Sequence, residues 1–235
     1  MAEEKIAERI DANLLDIPIQ QLQDPLLTKQ KYRAKMDVLK KKTQGKLVIK
    51  EYPTASAHVG HFKALLNELS LKKGFHPEII FVDYLNICAS SRYKGTIVNS
   101  YTYVKAIAEE LRGLAGEYNV PILSATQTTR SGYGNSNVEI TDTSESFGLP
   151  ATADLMFALI STEDMEELNQ IMVKQLKNRY NDPTVYKRFV LGIDRQKMRL
   201  YDCDQNAQQD IIDSGIEPKS FHPPQSKSKF DFTTG

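Results

Sequence analysis

Two nearly continuous apolar runs, EIIFVDYL (78–85) and VPILSATQ (120–127), flank one amphipathic helical pattern, and this arrangement constrains the fold more than any other feature of the chain. Short apolar runs without alternation read as strands buried on both faces. Between them, SYTYVKAIAEELRGLAGEY (100–118) places Val104, Ile107, Ala108, Leu111 and Leu114–Ala115 on one helical face. A third run, ADLMFALI (153–160), reads as another buried strand. Buried strands alternating with helices predict an α/β domain with a mainly parallel sheet.

The remaining segments fit around that frame. Ile6, Ile10, Leu14 and Leu15 recur at helical spacing in residues 1–15, and KQKYRAKMDVLKKK (29–42) reads as a basic helix ended by Gln44-Gly45. KLVIKEYP (46–53) reads as a short strand halted by Pro53, and HVGHFKALLNELSLKK (58–73) as a helix stopped by Gly74. IMVKQLKNR (171–179), KRFVLGID (187–194) and MRLYD (198–202) read as strands of an antiparallel edge. The division expected is a core over 1–203 and a disordered polar tail over 204–235, which contains Pro218, Pro223 and Pro224. The tail ends in SKSKFDFTTG, whose two phenylalanines suit either a docking segment or a plain disordered terminus. No internal repeat is present.

Composition removes several function classes. Thirty basic residues balance thirty acidic ones, so net charge gives no argument for nucleic acid, although local charge can. Hydrophobic residues at 40% and charged residues at 26% fit a globular core. No apolar run approaches the ~20 residues of a membrane span, and the opening MAEEKIAERIDANLLD lacks a signal peptide's apolar segment. Cys88 and Cys203 have no metal-ligand spacing, which fits a reducing, cytosol-like compartment. His58, His61, His76 and His222 form no catalytic pattern.

Four constellations can carry chemistry. Asp83 ends the first buried run, where ligands of open α/β sheets bind. It is either a loop cap or a ligand for Mg²⁺, through water, beside nucleotide phosphates. Gln127 ends the next run and either satisfies loop backbone or orients a water near a γ-phosphate in the same crevice. Lys177 and Arg179, two apart on a strand, point to one side. They form either a phosphate-directed pair with an arginine finger or a solvated edge together with Lys174 and Arg188. The loops 89–100 and 128–146 each follow a strand's carboxyl end. Arg92, Lys94 and Arg130, with Tyr93 and Tyr133, offer cations and stacking surfaces for single-stranded nucleic acid, or are ordinary mobile loops. Gly95, Gly132 and Gly134 leave backbone amides open to phosphates.

The order of these segments is more specific than any one of them. FVDYLNI, SRYKG, VKAIAEELRGLAGEYNVPILSATQTTRS, SESFGLPATADLMFALI and LKNRYNDPT closely resemble the successive motifs of DnaB-type hexameric replicative helicases. IKEYPTASAHVGHFKALLNELSLKKGFHPEIIFVDYLNICAS is most similar to the T4-type phage members, and the resemblance covers about residues 1–203.

The resemblance implies a RecA-like nucleotide-hydrolysing core with helices on both faces of the sheet and an antiparallel carboxyl-terminal edge. It implies an ATP-dependent DNA helicase using ATP and Mg²⁺, moving 5′→3′ on single-stranded DNA as a homo-hexamer. Primase and other replisome proteins are the partners implied, in the cytoplasm of an infected host cell. Asp83 matches the Walker B aspartate, and Gln127 the glutamine coupling γ-phosphate to the DNA loops. Lys177 and Arg179 match the pair reaching the neighbouring subunit's ATP, Arg179 as the finger. Ser144, Glu145 and Ser146 match the segment touching DNA backbone. Many members have Arg-Glu-Ser-Gly there; this chain has Ser144 for the arginine and Phe147 for the glycine, with Gly148 one residue later.

No G-x-x-x-x-G-K-[ST] phosphate loop occurs in the sequence. The family's loop and catalytic glutamate are expected upstream of Met1, so that the chain carries half of the ATP site. The alternative is a non-catalytic or split-gene subunit that donates Lys177 and Arg179 to a neighbour without binding ATP alone. A RecA-like recombinase or regulatory ATPase is disfavoured by the DYL triplet and the K-x-R spacing, through the resemblance only.

Overall fold

The computed structural model describes residues 2–22, 29–43, 45–93, 98–128, 148–182 and 184–203. The amino-terminal part is helical: α1 (Glu3–Leu15), α2 (Ile19–Leu22), α3 (Lys29–Lys42) and α4 (Val59–Lys73). Then follow β1 (Ile80–Val82), a 3₁₀ turn (Leu85–Ile87), α5 (Ser100–Tyr118) and β2 (Ile122–Ser124). The rest comprises α6 (Gly148–Thr152), β3 (Leu155–Ile160), α7 (Glu163–Glu167), β4 (Gln170–Asn178), β5 (Arg188–Asp194) and β6 (Arg199–Asp202).

Local chemistry sets the helix ends. Asn99 caps α5, its Oδ1 accepting from the Thr102 amide at 2.8 Å, and α5 closes on left-handed Asn119 at φ 52°. Gly74, at φ 56°, ends α4 in the left-handed region that glycine enters without steric cost. At the other end of α4, His58 accepts from the Gly60 amide at 3.0 Å, and His61 Nδ1 accepts from the His58 amide at 3.2 Å. These two histidines therefore form a reciprocal cap, not a metal site. Replacing Asn99 with alanine is expected to cost about 1 kcal/mol, read as a lower urea midpoint at unchanged slope. An unchanged midpoint would show that the cap adds nothing to α5.

The expected strand–helix–strand unit is present. β1 and β2 pair in parallel, Ile80 opposite Ile122 and Val82 opposite Ser124. Ser124 Oγ donates to the Val82 carbonyl at 2.8 Å, and the Leu85 amide to the Ala125 carbonyl at 3.1 Å, which extends the pairing beyond the strands. The buried stripe of α5 is the one expected: Val104, Ile107, Ala108 and Leu111 pack with Leu85, Cys88 and Leu149. The second sheet is antiparallel, ordered β3-β4-β5-β6. Its core is Ala158, Ile160 and Met172, with Met165 of α7 against them.

Three expectations need correction. KLVIKEYP forms no strand: residues 46–53 find no ladder partner among the described residues, and Leu47 is 63% exposed. The apolar runs are not buried on both faces, since Phe81 is 68% and Leu159 65% exposed. The pleat sends alternate residues to opposite faces, and among the described residues nothing covers the face carrying Phe81, Leu123, Phe157 and Leu159. The run 153–160 lies in the antiparallel sheet, with a bulge between Met156 and Phe157. α2, α6 and α7 were not foreseen; each is too short to show helical periodicity. The expected tail, 204–235, lies outside the described residues.

Candidate functional site

Asp83 and Gln127 come from neighbouring parallel strands, one and three residues past their ends. Gln127 Nε2 donates to the Tyr84 hydroxyl at 3.3 Å, and Thr126 Oγ1 to Asn86 Oδ1 at 2.8 Å. These bonds stitch the two post-strand segments together. Both Asp83 and Gln127 are exposed. Among the described residues, no three His, Cys, Asp or Glu side chains gather closely enough to hold a metal ion. A lone exposed carboxylate suits Mg²⁺, which keeps several waters and leans on phosphate oxygens, better than a cation needing an all-protein cage.

The segment after β1 is anchored by a residue that sequence reasoning missed. Glu110 of α5 is buried at 8% exposure. Its carboxylate accepts from Ser90 Oγ at 2.7 Å, from the Ser91 amide at 2.9 Å, and from the Arg92 amide at 3.3 Å. Burial opposes its ionisation, but the bonds from Ser90, Ser91 and Arg92 outweigh that and hold its pKa below the ordinary carboxylate value. Neighbouring Glu109 pairs with the Arg92 guanidinium at 2.5 Å. One turn of α5 thus fixes both backbone and side chain of the strand-following segment. The available signal was Glu110 standing three residues after Ile107, on the apolar stripe. Lys94, Arg130, Ser144, Glu145 and Ser146 lie outside the described residues.

Lys177 and Arg179 do face the same way, toward α6. Lys177 Nζ donates to the Pro150 carbonyl at 2.6 Å, and Arg179 NH2 to the Ala151 carbonyl at 3.2 Å. Arg179 NH1 also meets Asp154 Oδ1 at 2.6 Å, while its amide donates to the Asp154 carbonyl at 2.9 Å. Arg112 of α5 reaches the same Asp154 oxygen at 2.9 Å and the Thr152 carbonyl. Burial works against the Asp154 charge, but Arg112 and then Arg179 hold its pKa below the usual range. Burial, then the adjacent Arg179, lowers the Lys177 pKa. Arg112 and Asp154 were not anticipated.

Gly148 opens α6 at a close approach. A Cβ there would sit 2.8 Å from Lys105 Cδ and 3.2 Å from the Tyr101 hydroxyl. This suits a glycine where α6 crosses α5 and follows the Ser144–Ser146 stretch directly. α6 therefore links that stretch to the Lys177/Arg179 pair through backbone carbonyls.

A strand-end carboxylate and amide on a parallel pair, beside an antiparallel sheet carrying two directed cations, define an α/β domain of the nucleotide-handling kind. Comparison with known proteins narrows this. The family model for the DnaB-like helicase C terminal domain matches residues 1–189. The chain belongs to that family. It is 44% identical over 208 residues to the DnaB-like replicative helicase of Enterobacteria phage T4, covering 88% of this chain and 44% of that protein. The chain thus spans less than half the length of this curated relative. Two solved structures share the fold. One is an isolated ATPase domain (TM-score 0.67, 16% identity, 87% of this chain and 72% of that one). The other is a DnaB-like replicative helicase studied with its interactions with primase (TM-score 0.66, 16% identity, 87% and 49%). The fold is RecA-like, as the motif order implied. Among the described residues, no helix is long and apolar enough to cross a membrane.

Proposed function

We propose that the chain forms the carboxyl-terminal part of the motor of an ATP-dependent replicative DNA helicase, acting at a phage replication fork. The observation that carries this reading is the parallel β1–β2 register, which sets Asp83 and Gln127 side by side at one sheet end, with Gln127 bonded to Tyr84. Mg²⁺ and ATP supply the anhydride bond and the charge neutralisation of its phosphates, and Asp83 is the residue that would hold the metal, through water. Gln127 reports the γ-phosphate state to the segments that follow the strands. Lys177 and Arg179 act in trans, on the nucleotide of the next subunit of a homo-hexamer. Arg92, Lys94, Arg130, the Ser144–Ser146 stretch and Gly148 contact single-stranded DNA, along which the ring moves 5′→3′. Primase and other replisome proteins in the infected cell's cytoplasm are the partners.

A second reading is favoured by one observation, the lack of a G-x-x-x-x-G-K-[ST] motif in this sequence. In it the chain is a non-catalytic or split-gene subunit that donates Lys177 and Arg179 but does not bind ATP by itself. ATP hydrolysis measured with and without a separately expressed polypeptide bearing a phosphate loop addresses both readings. No turnover is expected from the chain alone, and DNA-stimulated turnover is expected on addition. Turnover by the isolated chain would sink the idea that its nucleotide site is completed elsewhere. DNA-stimulated turnover restored by a separate polypeptide favours the split-subunit reading; restoration only by a covalently continuous chain favours the first.

A further inference from the structure

α3 is a concentrated cationic surface in a chain of zero net charge. Its 14 residues, KQKYRAKMDVLKKK, carry Lys29, Lys31, Arg33, Lys35, Lys40, Lys41 and Lys42 against the single acid Asp37. All seven cations are exposed. Tyr32, Met36 and Leu39 recur at i, i+4 and i+7 and are the half-buried side. The Tyr32 hydroxyl donates to Asp11 Oδ2 at 2.5 Å and latches α3 onto α1. The apolar stripe is thus already engaged, and what remains faces solvent as charge. Like charges this dense repel one another along a helix, so folding alone gives no reason for them.

We propose that α3 is a sequence-independent binding surface for the phosphodiester backbone of DNA. Protein interfaces centre on aromatic and apolar anchors and are depleted in lysine. The exposed side of α3 has no aromatic residue, and Val38 is its one large exposed apolar side chain. Phosphate backbones, by contrast, are held by lysine and arginine alone, through counterion release. Six of the seven cations are lysine. Lysine presents a point charge without the planar fork that reads guanine, so backbone contact without base preference follows. A helix of this length reaches about 21 Å, enough to follow several phosphates. α3 is fastened to α1, and α1 to the β5–β6 turn through Asn13 and the Met198 carbonyl. The DNA segments of the proposed motor follow β1 and β2 instead, so this surface is additional to them and does not depend on them.

The test is fluorescence anisotropy of the full chain with labelled oligothymidylate, titrated between about 50 and 200 mM salt. The triple variant Lys35→Gln, Lys41→Gln, Lys42→Gln leaves Tyr32, Met36 and Leu39 in place. It is expected to flatten the slope of log affinity against log salt by about 0.7 for each phosphate no longer neutralised, and to weaken low-salt binding roughly tenfold. A control removing equal charge elsewhere, Lys5→Gln, Lys72→Gln, Lys73→Gln, should keep the wild-type slope. An unchanged slope in the α3 variant, or an equal change in the control, would overturn the proposal. Competition by an acidic peptide of equal charge as effective as DNA would overturn it too, and would assign α3 to an acidic protein. Arg92→Gln with Arg130→Gln separates the two DNA readings. A slope that responds to α3 but not to these arginines removes the loop contacts and keeps α3; the reverse removes α3 and keeps the loops.

Discussion

Replacing Arg179 with alanine is expected to lower DNA-stimulated ATP turnover of the assembled, phosphate-loop-complete ring by about 10³-fold or more, the usual effect of losing an arginine finger. The geometry makes this prediction separable from a folding defect. Arg179 lies past the end of β4, with its side chain 43% exposed beside an Asp154 carboxylate that Arg112 already holds. Exposed ion pairs contribute about 0–1 kcal/mol, so the variant should unfold at nearly the wild-type urea concentration. Arg179→Lys keeps the charge but loses the fork that binds a carboxylate or phosphate at two points, so it should recover only part of the rate. Asp154→Asn tests the parked arrangement: turnover should change while Mg²⁺-ATP affinity stays near wild type, because Asp154 touches the cation and not the nucleotide. Turnover within a factor of about three of wild type for Arg179→Ala would be far below the finger scale and would end the trans assignment.

The long helices were legible because their signal is local. α3 and α5 span the residues that periodicity marked out, and Gly74 stops α4 where a left-handed residue was expected. Strands fared worse because a strand is defined by its neighbour. The apolar residues around Leu47 have β character but no ladder partner among the described residues, and the run around Phe81 looks buried although one of its faces is open. Asp83 and Gln127 were legible because strand ends in α/β sheets are where ligands bind. Arg112 with Asp154, 42 residues apart, and Glu110 with Ser90, 20 apart, were not, because no local period records which side chains tertiary packing brings together. The expected shared direction of Lys177 and Arg179 followed from strand geometry, but their landing place on the carbonyls of α6 did not.

Glu110→Ala is expected to destabilise the fold by about 3 kcal/mol, since it strands buried donors that an ionised acceptor now satisfies. Ser90 is 3% exposed and cannot turn to bulk water without opening the segment. Arg92 and its neighbours should loosen with it, so single-stranded DNA affinity should also fall. The pH dependence gives a second, independent readout. Glu110 has a folded pKa held below its reference value of 4.5, with burial opposing and the Ser90, Ser91 and Arg92 bonds prevailing. A carboxylate depressed on folding stabilises the native state above its unfolded pKa, and that contribution is lost as pH falls through the folded value. The stability gap between wild type and Glu110→Ala should therefore be steady from neutral pH to about 5 and close progressively below about 4.5. Glu110→Gln, which keeps one acceptor oxygen without the charge, should fall between the two at neutral pH and lie nearest to wild type in acid. A gap that persists undiminished at acid pH would mean that Glu110 acts through packing alone, and that the Ser90–Arg92 segment is placed by something other than its charge.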